Sequence, residues 1–187
     1  MTTNELTKLG NLLPDAFYDI FAYLIPSGFL LIGIVTSLPV DTISIPSDSI
    51  FNSIVWSLLL AFLCIGGLYT IGLILTNFSY YVILLPILTM LGIKIKSKFD
   101  RSYLKAKASN AMICIELTKR YVRIILLRNI AFSSILLVIF YLIQGEWKYL
   151  FVVSFIFLVT FVSTWIRSKW LNDNIEFINN LDLADNN

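Results

Sequence analysis

Apolar residues run in four long blocks separated by short polar interruptions. A bilayer core about 30 Å thick takes about 20 residues of apolar helix. Residues 17–38 supply the first such run. Pro14 stands near its opening, and Asp15 and Asp19 lie in its first turns, as at many helix N-termini. Pro39, Asp41, Pro46 and Asp48 break the pattern, so residues 39–52 are expected to form an external loop. The second run covers 53–75, the third 124–143 and the fourth 149–166. Gln144-Gly145-Glu146-Trp147-Lys148 is a tight external turn that makes the last two runs an antiparallel hairpin.

The segment 76–93 is apolar but short, and Pro86 interrupts it. Charge decides how to read it, because Lys and Arg near span ends mark the cytoplasmic side. With four spans, ten of the 14 basic residues fall between Lys94 and Arg128, and Lys8, Arg167 and Lys169 join them on the same side. Only Lys148 is left outside. A fifth span would divide these groups across the membrane. Residues 76–93 are therefore expected to lie at the cytoplasmic interface or to re-enter the bilayer from it, with Tyr80 and Tyr81 at headgroup level.

No glycine or proline occurs between Gly92 and Gly145, a gap of 52 residues. One long helix over 102–143 would measure about 60 Å, twice the bilayer core. The basic region 94–123 is thus expected to be a helical extension of the third span into the cytoplasm. Leu104, Ala108, Ala111, Ile115 and Val122 form an apolar stripe on it that calls for a partner. Arg128, within the apolar run, is expected to snorkel to headgroups or to pair with an acid. Residues 1–16 are polar, with one lysine and none of the features of a cleaved leader, so the first span is expected to be a retained anchor. The tail 167–187 carries Asp173, Glu176, Asp182 and Asp185. The basic stretch has ten bases against Asp100 and Glu116, a net of +8, so the two elements should attract. The expected fold class is all-α: a polytopic membrane protein with four transmembrane helices and both termini cytoplasmic.

Composition agrees. Hydrophobic residues make up 58% of the 187 and charged residues 14%, against about 25% charged in soluble domains; mean hydropathy is +0.82. Histidine is absent, which removes His-based triads and imidazole-ligated metal sites. Cys64 and Cys114 form no C-x-x-C pair and read as small apolar fillers. No glycine-rich phosphate loop appears. The chain is expected to be no enzyme and to use no cofactor or metal.

Each remaining feature has a functional and a plainer reading. Asp15 and Asp19 share one helix face at the membrane entry; they would handle cations or protons, or they are dipole-favoured first-turn acids in headgroup water, which is the preferred reading. Pro26-Ser27-Gly28 would be an unwound ion-path hinge, or a kink whose backbone is re-satisfied by Ser27 and neighbouring helices; the kink is preferred. Gly66, Gly67 and Gly72, with Ser57 and Ala61, give the second span a small-residue face suited to packing within the chain or between copies. The hydroxyls of Ser57, Thr70, Ser133, Ser134, Ser154 and Thr160 are too scattered for a selective pore lining. Lys94, Lys96, Lys98, Arg101, Lys105 and Lys107, followed by Lys119, Arg120 and Arg123, form a juxtamembrane basic cluster. Such clusters attract anionic lipid headgroups at about 1 kcal/mol per residue, and lipid contact or a protein partner is preferred here over nucleic acid.

Phe17-Tyr18-Asp19 leading to Ile25-Pro26-Ser27-Gly28 resembles the start of small bacterial membrane proteins of anti-phage systems, such as the membrane subunit of the Kiwa type. Some 20 residues carry this likeness, and Ser27 is inserted relative to the family's I-P-G. The resemblance implies a four-span protein that forms homo-oligomers and serves a cytosolic effector. The leading expectation is a sensor or anchor in a defence or stress system that presents its basic region to a soluble partner. The alternative is a membrane-perturbing effector or ion-conducting pore. Topology is testable directly: in a background lacking Cys64 and Cys114, single cysteines at Ser97 and Lys169 should react with an impermeant maleimide from the cytoplasmic face only. One at Ser49 should react from the opposite face only.

Overall fold

The computed structural model describes the backbone of residues 3–37, 54–92 and 111–184, and the side chains of 20–37, 57–92 and 117–174. Helices α1 (Thr3–Ser37) and α2 (Ile54–Ser79) are followed by a π-helical turn (Tyr80–Leu84) and the short α3 (Leu85–Met90); α4 (Ala111–Gln144) and α5 (Trp147–Ala184) complete the bundle. The fold is all-helical, and among the described residues four helical stretches are long and apolar enough to cross a membrane: Ile20–Ser37, Ser57–Met90, Leu117–Gln144 and Trp147–Asn174. The loop expected over 39–52 and residues 94–110 of the basic region 94–123 lie outside the described residues.

Contacts fix the directions. Ala22, Pro26 and Gly33 of α1 meet Asn129, Ser133 and Tyr141 of α4 in ascending order, so these helices run parallel. α2 runs against both, and α5 returns along α4 after a turn at Gly145, whose φ of 74° suits glycine. The bundle is thus up-down-up-down, with the start of α1 and the end of α5 at one end. Lys119, Arg120, Arg123, Arg167 and Lys169 lie toward that same end, called the basic end below.

Residues 77–90 form no separate layer. They continue α2 as a helical rod that carries four fully buried apolar side chains: Ile83, Leu84, Ile87 and Leu88 are each 2% exposed or less. Leu84 and Leu88 pack with Leu117 and Ile124 of α4 and Leu171 of α5; Ile83 and Ile87 pack with Leu75, Ala131 and Phe132. The rod wedges between α4 and α5. Pro86 accounts for the π turn before it. Proline lacks the N–H that would bond Val82 and its ring crowds that carbonyl, so a wider turn is accommodated, with Leu85 N–H bonding Tyr80 O five residues back. Gly92, at φ 68°, ends the rod in the left-handed conformation common after helices.

The helix of the third span is long, as expected: α4 runs 34 residues, Ala111–Gln144. Val122 packs with Ala22 and Ile125, and Leu117 is already in the core, so α4 is embedded from Leu117 onward. Residues 57–67 of α2 are instead exposed on almost every side, with Phe62 and Leu63 among the most open. In a bilayer this apolar surface is open to lipid and to a second copy. Cys64 belongs to it and is exposed, although burial as a filler was expected; a thiol is apolar enough for lipid contact.

The glycines divide accordingly. A Cβ on Gly72 would strike the backbone carbonyl of Tyr23, whose ring packs edge-on against Tyr69 at 5.3 Å; α1 and α2 meet there backbone to backbone. Gly33 plays a similar part against α4, since a Cβ would come within 2.6 Å of Leu137. Gly28, Gly66 and Gly67 have open space around that position. Gly72→Ala should therefore destabilise the protein by about 1–3 kcal/mol, read as a lower unfolding midpoint in detergent. Gly66→Ala and Gly67→Ala should leave the protomer at or slightly above wild-type stability.

Candidate functional site: a polar node between three helices

Pro26 has no N–H, so the carbonyl of Ala22, four residues earlier, loses its helical donor. In hydrocarbon such a group must find another partner. Asn129 of α4 supplies it: Nδ2 donates to Ala22 O at 3.2 Å and to Thr76 Oγ1 at 2.7 Å, while Oδ1 accepts from Ser79 Oγ at 2.5 Å. One fully buried amide thereby ties α1, α2 and α4 together. Ser133 donates to Pro26 O at 3.2 Å and Tyr141 to Gly33 O at 2.7 Å, which pins α4 along α1. Ser27 bonds back to Tyr23 O and Leu24 O within its own helix. The carbonyl that Pro26 leaves without a helical donor is satisfied from the neighbouring helix.

Arg128 adjoins this node and is 3% exposed. Its Nη2 reaches the Thr76 carbonyl at 3.5 Å, and its Cζ lies 5.7 Å from the Tyr80 ring centroid. Tyr121, Tyr23 and Tyr80 are its polar neighbours among the described residues. Nε and Nη1 have no hydrogen-bond partner there.

At the basic end, Arg120 stacks on Trp170 with Cζ 3.6 Å from the ring centroid, joining α4 to α5. Arg167 and Trp170, with Ser163 and Ile166, line an open groove on α5. Lys119 and Arg120 are half-buried; Arg123, Arg167 and Lys169 are exposed. The structure thus brings Lys119, Arg120 and Arg123 onto one level with two basic residues of the tail. Lys94, Lys96, Lys98, Arg101, Lys105 and Lys107 lie outside the described residues, as do the side chains of Asp15 and Asp19.

The hydroxyls weighed as a pore lining are largely committed to helix carbonyls: Thr70 to Gly66, Ser133 to Pro26, Ser134 to Ile130 and Thr160 to Ile156. Asn129 was not singled out from the sequence. The available signal was its position, an amide inside the third apolar run and one turn from a serine pair.

Fold and node together define a polytopic, all-α membrane protein whose helices are pinned by a buried polar crossing. No protein-family model, curated protein or solved structure matches the chain.

Asn129→Ala should lower stability by about 1–2 kcal/mol, the range of interhelical polar contacts in bilayers. Pro26→Ala restores a donor to Ala22 O, so the Asn129 effect should shrink in that background. A double-mutant cycle of unfolding midpoints in detergent or bicelles measures the coupling; strict additivity would contradict the dependence.

Proposed function

We propose that the chain is a non-enzymatic membrane sensor or anchor of a bacterial defence or stress system, residing in the inner membrane as a homo-oligomer. Its basic end faces the cytoplasm, contacts anionic headgroups and presents the region 94–123 to a soluble protein partner. The observation that carries this reading is the gathering of Lys119, Arg120, Arg123, Arg167 and Lys169 at one end of the bundle, beside Trp170, which suits the membrane interface. The likeness around Phe17-Tyr18-Asp19 and Ile25-Pro26 supports the defence context. The exposed small-residue positions Gly66 and Gly67 favour contact between copies.

The second reading is an ion-conducting or membrane-perturbing effector. Within one protomer, the serine and threonine hydroxyls engaged by helix carbonyls favour the scaffold. Blue-native electrophoresis and pull-down from native membranes should give an oligomer with a co-purifying soluble protein; a strictly monomeric chain without one contradicts the proposal. In liposomes the scaffold should give no ion flux. Flux that changes on replacing Asp19 or Pro26 would instead establish the effector.

A further inference from the structure

Arg128 is a buried cation whose polar surroundings among the described residues are a distant carbonyl and three phenols, with no carboxylate. Two of its three nitrogens are unengaged. Arginine persists in such a place when its charge and donors meet a partner. Its depth says which kind. Arg128 Cα lies about 8 Å along α4 from Arg123 and about 12 Å from Arg120. Helical side chains lean toward their helix N-terminus, which for α4 points to the basic end. The guanidinium therefore sits just inside the level of the basic residues, where the phosphates of one leaflet are close. Basic sites between transmembrane helices at this level hold lipid headgroups. Tyr80 adds a phenol group that can donate to an oxyanion.

We propose that Arg128, with Tyr80, forms an interhelical binding site for a phosphate oxyanion between α1, the α2–α3 rod and α4. Its occupant enters from the basic leaflet and locks the Asn129 crossing beside it. The site depends only on the chain spanning a membrane; a role in defence is a separate matter.

The test uses the full-length protein, delipidated by exchange into a nonionic detergent. Thermal unfolding is followed against phosphatidylglycerol, inorganic phosphate, and diacylglycerol as a phosphate-free control. Native mass spectrometry counts bound lipid. Phosphatidylglycerol should raise the wild-type midpoint and diacylglycerol should not. A response to phosphatidylglycerol alone assigns a lipid headgroup; an added response to inorganic phosphate assigns a site for the free anion as well. Arg128→Met, of similar length but uncharged, should unfold no lower than wild type before anion is added and should lose the anion response. Arg128→Lys, which keeps the charge but presents one ammonium in place of several N–H edges, should bind about tenfold more weakly. The proposal is overturned if no anion moves the wild-type midpoint, or if Arg128→Met responds as wild type does. It also fails if Arg128→Lys binds as tightly as wild type, or if Arg128→Met unfolds well below wild type in anion-free detergent. The last result would mean that an acid of the chain already holds the guanidinium.

Discussion

The bundle depends on one missing hydrogen. Pro26 leaves the Ala22 carbonyl without its helical donor, and in lipid no water can replace it. Asn129 fills that gap and, through the same amide, holds Thr76 and Ser79 of α2. The crossing point of three helices and the parallel register of α1 with α4 are therefore one constraint. Gly72 allows the same crossing to close, because α2 lies against the Tyr23 backbone where any Cβ would intrude.

A second proline shapes the other half. Pro86 accompanies a π turn, and the rod that contains both carries Ile83, Leu84, Ile87 and Leu88 into the contact between α4 and α5. Apolar helices gain nothing from leaving lipid for one another, so association rests on close packing and polar pins. The rod packs the bundle toward the basic end, next to Arg128 and the Arg120–Trp170 stack, and Leu137, Tyr141 and Val153 pack it toward the other end, while the Ser57–Gly67 half of α2 lies outside both. A ligand or partner acting at the basic end would bear on all the helices at once.

How much of this was legible follows from the kind of signal each feature leaves. The four apolar runs and the asymmetry of lysine and arginine gave the number of spans, since both are properties of composition along the chain. The Pro26 kink and its need for outside donors were also visible. Asn129 as the donor was not, because a one-dimensional pattern does not say which residue of a distant helix faces a given carbonyl. Residues 76–93 read as interfacial or re-entrant because they are short, apolar and proline-broken. That residues 77–90 pack into the core was not visible, because α2 continues through the proline instead of ending there. Gly66 and Gly67 looked equivalent to Gly72 by spacing; only the neighbour opposite each one separates them.

By itself the sequence determined that this is an all-α chain with four membrane-spanning helices and a strongly basic end, because hydrocarbon admits only internally bonded apolar segments and positive charge collects on one side of them. The tertiary structure decided which polar groups meet. It set Asn129 on the carbonyl freed by Pro26, buried Arg128 among tyrosines, and turned a broken apolar segment into the wedge of the bundle. Those outcomes depend on the rotation and height of one helix against another, which close packing fixes and no periodicity along a single chain encodes.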